Sequence, residues 1–342
     1  MRLESASPSP ALYTFLLLSI LIPLSTAFPY RASAAPQDSP IRVEVNRVEV
    51  GVTVTDASGR FVRGLGRSNF QIFDNGAEQP LTDFATDFEP AHVLVLIESG
   101  PAVYLLESGH LAAAHRFLDG LSRDDQVAVA RYSASAELLQ NFTVDKRAAA
   151  YALENLQFNL GFGSLNLSAS VAQALAWLRA IPGKKSIVLL STGVDTTPPD
   201  SAKALLDHLP TSGVRILAVS LSGGLRAPIR QGRRTKAADS EKLSLTEQRF
   251  EAADGVLRRL AQASGGRGYF PGNAAQFSAA CAEIAEIIRH EYSLAFAPPV
   301  RDGRVHSIEV RLISSDPGTS ASLSVDKLDY RRAYVAPVPP GP

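Results

Sequence analysis

The sequence predicts an α/β protein: a mostly parallel sheet with helices on both faces, joined to small β-rich segments at either end. Three observations carry this. The runs Val93–Ile97 (VLVLI), Ser186–Leu190 (SIVLL) and Val214–Ser220 (VRILAVS) are short and almost wholly apolar, as strands buried on both faces must be. Segments with apolar residues at helical spacing come after them. Arg42–Thr55 (RVEVNRVEVGVTVT) instead alternates apolar and polar residues with period two and is rich in Val, the pattern of a half-buried strand.

Taken in order, Leu12–Leu24 (LYTFLLLSILIPL) is a short apolar stretch preceded by Arg2 and followed by small residues at Ser25–Ala27 and Ala32–Ala34. It falls short of the ~20 residues a membrane-spanning helix needs, so residues 1–34 are expected to be a cleaved secretory signal. Membrane attachment is expected only if that signal is retained. A polar linker comes next, at 35–40. Residues 41–90 form a small β segment of about four strands, with Asn75-Gly76 placed for a tight hairpin turn. Such a unit is too small to be stable alone and is expected to pack on the segment beginning at residue 91.

From residue 91 strands and helices alternate. Tyr104–Leu121 has helical spacing, Gln126–Tyr132 and Glu137–Phe142 form a hairpin, and Leu167–Ala180 is an apolar helix. Ser201–Pro210 is a short helix, Leu245–Ser264 a longer one stopped by Gly265-Gly266, and Ala274–Tyr292 is long and amphipathic. Leu221–Lys242 (LSGGLRAPIRQGRRTKAADSEK) is Gly-rich, basic and without apolar period, so it is expected to be a solvated surface loop. Residues 298–336 return to strand texture, and 337–342 are a Pro-rich tail.

Composition excludes several functions. Lys+Arg and Asp+Glu are both 34 in 342 residues, so there is no electrostatic case for nucleic acid or an anionic membrane surface as partner. The single cysteine, Cys281, rules out an internal disulfide, a redox pair or a Cys-based metal site and is expected to be a small core residue. The six histidines are scattered without metal-ligand spacing and are expected at surfaces or interfaces.

The order of these segments resembles a von Willebrand factor A-type domain over residues 91–297. The resemblance rests on the strand–turn–helix at 93–121, the hairpin at 126–142, the loop GFGSLNL at 161–167, the strand IVLLSTGVD at 187–195 and the closing run Leu257–Phe296. The flanks, with GLGRSNFQIFDNG (64–76) before and YRRAYVAP (330–337) after, are similar to an acidobacterial VWFA-related subgroup. The resemblance implies a Rossmann-like fold and a metal-ion-dependent adhesion site at the strand tops. That site is built from a D-x-S-x-S loop, a Thr in a second loop and an Asp in a T-D-G turn.

This chain departs from that set. Glu98 stands for the first Asp, Gly100 and Ala102 for the two serines, Ser164 for the Thr and Thr192 for the second Asp. Mg²⁺ prefers hard oxygen ligands in near-octahedral array, and Gly100 and Ala102 offer no side-chain oxygen. Ser99 would reach the ion only if the turn were re-threaded, and Pro101 stiffens that turn. Asp195, three residues past Thr192, is expected to cap the turn or face solvent. No cofactor is expected. The implied function is an exported, non-enzymatic protein–protein interaction module that binds an unknown protein partner without metal. The alternatives are divalent-cation binding, with Mg²⁺ the candidate, through Glu98, Ser164 and Asp195, and a hydrolase using Glu98 and Asp195 as a carboxylate pair.

Overall fold

The computed structural model describes residues 47–86, 89–100, 103, 107–158, 163–231, 237–313 and 325–338. The expected signal and linker, Pro101 and Ala102 lie outside the described residues. Fourteen strands and seven α-helices are present among those described.

The first strands are β1 (Val48–Asp56), β2 (Phe70–Asp74), β3 (Ala77–Gln79) and β4 (Leu81–Ala85). Between β2 and β3, Asn75 and Gly76 both take positive φ (47° and 82°), as the tight hairpin requires. Then come β5 (Ala91–Glu98), α1 (Glu107–Gly120), β6 (Gln126–Tyr132), β7 (Ala136–Thr143), α2 (Lys146–Glu154) and α3 (Leu167–Leu178). They are followed by β8 (Lys184–Ser191), α4 (Pro199–His208), β9 (Arg215–Ser220), α5 (Ser222–Gln231) and α6 (Ala237–Ala263). The last elements are β10 (Gly268–Tyr269), α7 (Ala274–Arg289), β11 (Tyr292–Phe296), β12 (Val305–Leu312), β13 (Val325–Asp329) and β14 (Ala333–Val335).

The central sheet has six strands in the order β10-β9-β8-β5-β6-β7, parallel except for β7. This is the expected α/β class, with helices on both faces. The continuous apolar run at β5 follows from burial on two sides. Val93, Val95 and Ile97 pack with Phe117 and Leu118 of α1, Leu153 of α2 and Ile284 and Ile288 of α7. Leu94 and Leu96 point the other way, against Leu167, Val171 and Leu178 of α3 and Leu257 and Leu260 of α6. Each such buried side chain contributes about 1.5–3 kcal/mol. Cys281 lies in the first of these cores, and burial pushes its thiol up to about 12.

The flanking strands form two four-stranded sheets, β13-β1-β11-β4 and β14-β12-β2-β3. Val48, Val50, Val52 and Val54 of β1, every second residue, meet Phe70 and Ile72 of β2 and Ile308 and Val310 of β12 in one core. The N-terminal β segment and the C-terminal strands therefore build one sandwich rather than two separate additions. β11 enters it too: Leu294 pairs with Val50 on one side and Phe84 on the other.

The structure corrects the sequence reading at three places. Residues 222–231 and 237–263 are helical, so the segment expected to be a solvated loop is largely two helices. Its apolar residues are too sparse to show a period; its order comes from charge, because Arg226 bonds Asp254 at 2.9 Å across the two helices. Helix α2 is a second departure: its Ala-rich face is short, and Asp145 caps it by accepting from the Arg147 N–H. Finally, His290 and His306 are buried rather than superficial; His306 Nδ1 lies 2.8 Å from Asp74, which also accepts from the Tyr334 hydroxyl. Among the described residues no helix is long and apolar enough to cross a membrane.

Candidate functional site

The candidate site lies where β5 and β8 end, at the carboxyl edge of the parallel sheet, the edge where open α/β sheets hold ligands. Parallel pairing carries Leu96 and Ile97 of β5 alongside Leu189 and Leu190 of β8, and Ile97 and Glu98 alongside Arg131 and Tyr132 of β6. Glu98, Ser191 and Tyr132 thus arrive together from three strands.

Glu98 is fully buried, yet its carboxylate is well supplied with donors. Thr192 donates its backbone N–H to Oε2 at 2.8 Å and its hydroxyl to the same carboxylate at 2.8–2.9 Å. The Ser191 hydroxyl donates at 3.1 Å, and the Tyr132 hydroxyl stands 3.2 Å away. Tyr132 is also 2.6 Å from Ser191 Oγ. Each hydroxyl carries one proton, so Tyr132 serves one of these acceptors at a time, and the contact to Ser191 is the shorter. Ser191 Oγ in turn accepts the Gly193 N–H at 2.9 Å. Burial raises the pKa of Glu98, while the donors from Thr192, Ser191 and Tyr132 pull it back. Burial, and the adjacent Glu98 charge, hold the Tyr132 phenol well above its usual value.

Of the two residues after Glu98, Ser99 turns away and Gly100 faces the carboxylate without a side chain, a Cβ there standing 3.5 Å from Glu98 Oε1. Ser99 donates both its N–H (2.8 Å) and its hydroxyl (3.0 Å) to the carbonyl of Tyr132, so its oxygen is committed to the end of β6. Gly100 has no side chain, and the space a Cβ would take is filled by the Leu165 methyls, the nearer 3.0 Å off. Ser164, expected from the resemblance to stand at a Thr position, is exposed.

Thr192 leads into Gly193, whose φ of +79° puts it in the left-handed region. A Cβ there would stand 2.3 Å from the Ala253 carbonyl of α6, so only glycine fits this turn. Beyond it, Asp195 accepts the Ser168 N–H at 3.0 Å and the Ser168 hydroxyl on Oδ2, and the Thr197 N–H at 2.9 Å on Oδ1. Asp195 therefore caps the first turn of α3 and its own turn, as expected of a residue that holds chain rather than ligand. Glu98 and Asp195 share no donor: each is consumed by a separate set of hydrogen bonds, which is poor geometry for a carboxylate pair working on one substrate.

Sequence reasoning identified Glu98 and Thr192 but missed Tyr132 and Ser191, which complete the cluster. Ser191 directly precedes the Thr-Gly pair and Tyr132 is the polar-tipped side chain that ends β6; those signals could have found them. A second polar cluster beside it was also missed: Asp254 accepts from Ser220 (2.6 Å), Ser222 (3.0 Å) and Arg226 (2.9 Å) at the end of β9. Among the described residues no group of three or more His, Cys, Asp or Glu is placed to hold a metal ion. The set at Glu98, one carboxylate already surrounded by protein donors, does not fit a resident divalent cation, which needs several free oxygens.

No family model matches the chain, and no curated protein matches it. Solved structures are similar to it in fold. A von Willebrand factor type A protein from Catenulispora acidiphila superposes with TM-score 0.44 at 11% identity, over 85% of this chain and 73% of that one. The vWF domain of the type V pili tip protein Mfa5 from Porphyromonas gingivalis gives 0.42 at 12% identity, over 58% and 95%. BatB from Bacteroides thetaiotaomicron gives 0.39 at 14%, over 58% and 98%. The first of these is named a von Willebrand factor type A protein and the second a vWF domain.

Proposed function

We propose that the protein is an exported, non-enzymatic interaction module that binds a protein partner without a metal ion. The observation that carries this is the enclosure of Glu98: the carboxylate that stands at the expected metal position is ringed by donors from Thr192, Ser191 and Tyr132. An ion entering there would have to displace those donors, and the absent side chain at Gly100 gives nothing back. In this reading the strand-top loops serve as a contact surface. Ser164 is exposed among them, and Val194, an apolar side chain 41% exposed, stands between Thr192 and Asp195. Residues 1–34 direct export, 91–297 form the interaction unit, and the segments 41–90 and 298–336 brace it, with 35–40 as linker and 337–342 as tail.

The deciding experiment is isothermal titration of the mature protein with Mg²⁺ and with Mn²⁺. No binding heat at micromolar affinity is expected. Saturable heat at that affinity, lost in Glu98→Gln, would overturn the metal-free reading. For the partner, crosslinked complexes from envelope extract should form equally with and without chelator and diminish in Val194→Asp.

A further inference from the structure

At the opposite, amino edge of the parallel sheet lies a polar cleft of about 200 Å³ between the α/β layer and the sandwich. Arg47, Lys184, Lys185, Arg215 and Arg331 line it, against only two carboxylates, Glu49 and Glu291. Asp83, paired with Arg47, and Glu89, whose Oε1 lies 3.2 Å from where a Gly183 Cβ would stand, flank it, so the positive excess comes to one charge.

Most of these charges already have partners. Arg215 is tied to Glu291 at 2.6 Å, to the Thr53 hydroxyl at 2.7 Å, and to the carbonyls of Gly265 (3.1 Å) and Asp329 (2.9 Å). Glu291 reaches into the space left by Gly51, since a Cβ on that residue would stand 1.8 Å from its Oε1. Lys184 gives its ammonium to the carbonyls of Glu291 (2.8 Å) and Thr86 (3.3 Å). Arg47 pairs with Glu49 and Asp83 on the rim.

Two cations remain. Lys185 is half-buried and its ammonium, among the described residues, makes no hydrogen bond or ion pair. Arg331 donates Nη2 to the Glu49 carbonyl, while its Nε is sealed from solvent with no partner. Burial lowers the Lys185 pKa, with Glu49 opposing and Arg331 adding a smaller repulsion, and burial brings Arg331 down to about 10 against the pull of Glu49. The two cations share one carboxylate, Glu49, which also pairs with Arg47, so they are under-compensated, and a guanidinium fork with a nearby ammonium is the pair best suited to a phosphoryl group.

We propose that this cleft is an oxyanion site, in which Lys185 and Arg331 bind a phosphate group, either the free ion or a phosphomonoester. The cleft, about 200 Å³, has room for one such group. This site is independent of the strand-top surface, since it sits at the other edge of the sheet and uses none of its residues.

The test is thermal denaturation and isothermal titration of the full chain with inorganic phosphate, with sodium chloride at matched ionic strength as reference. Phosphate is expected to raise the midpoint saturably where chloride does not. Lys185→Gln should weaken phosphate binding about tenfold or more while leaving the phosphate-free midpoint close to wild type, because it relieves the repulsion with Arg331 as it gives up the attraction of Glu49; Lys185→Arg should retain binding. Glycerol 3-phosphate distinguishes the two sources: tighter binding than inorganic phosphate assigns an ester ligand, weaker binding the free ion. No shift beyond chloride, or an undiminished phosphate response in Lys185→Gln, would overturn the proposal.

Discussion

Thr192 donates both its backbone N–H and its hydroxyl to the carboxylate of Glu98, each within 2.9 Å. Where the family resemblance predicts a second carboxylate, a hydroxyl stands and donates to the first.

This arrangement makes stability depend on pH in a definite direction. The pKa of Glu98 is raised above 4.5 in the folded protein, so the native state holds this proton more tightly than the unfolded chain. Its contribution is complete below 4.5 and is lost as pH climbs through the folded value. Glu98→Gln abolishes that titration. Urea denaturation from about pH 4 to about pH 8 should therefore show the variant gaining on wild type as pH rises; a constant difference would refute the assignment.

Restoring the acidic residue should be harmful without the rest of the metal site. Thr192→Asp places a second buried carboxylate against Glu98, and an unpaired buried charge costs about 3 kcal/mol or more. The two acids would share a proton, so the loss should be larger at about pH 8 than at about pH 5. Thermal melts at the two values check this, and equal losses would argue against direct contact.

The turn after Thr192 is fixed by sterics as well as conformation. Gly193→Ala combines a left-handed backbone with an approach of 2.3 Å to the Ala253 carbonyl. Gly59 has nearly the same φ (+78°), but a methyl there would have nothing within 4 Å, and so it isolates the conformational part. Gly59→Ala should cost about 1 kcal/mol, and Gly193→Ala at least twice that. Equal losses in chemical denaturation would show that α6 yields easily.

Asp195 acts as a cap supplied from outside the helix. Asp195→Ala strips an acceptor from the Ser168 and Thr197 amides and should cost about 1–2 kcal/mol. Asp195→Asn keeps one oxygen and should recover part of it. A loss in the alanine variant of less than a few tenths of a kcal/mol in denaturant titration would return Asp195 to the pool of free carboxylates.

The legibility of the sequence tracks the range of the interactions. Burial of β5 on both faces writes itself into five consecutive apolar residues, and the β2–β3 turn into Asn75-Gly76; both are local. The closed state of Glu98 is not local. Its donors come from Tyr132 on β6 and from Ser191 and Thr192 at the end of β8, so Glu98 and Thr192 could be singled out from the sequence while the network that joins them could not. Helix α6 was legible from Leu245 onward, but α5 and the first residues of α6 were missed, because a long-range ion pair, Arg226 with Asp254, ties together a stretch that has no apolar period of its own. The burial of His306 rests likewise on Asp74, distant in sequence and adjacent in space.

The pairing of β4 with β11 bears on how such a chain can be taken apart. Ala85, just before the α/β layer begins, pairs with Ser293, just after it ends. The whole layer leaves and re-enters the sandwich through neighbouring rungs of one ladder. It is therefore a detachable cassette: joining those two rungs with a short linker would leave every strand of the sandwich with its native neighbours, while the excised layer would carry the Glu98 turn away intact.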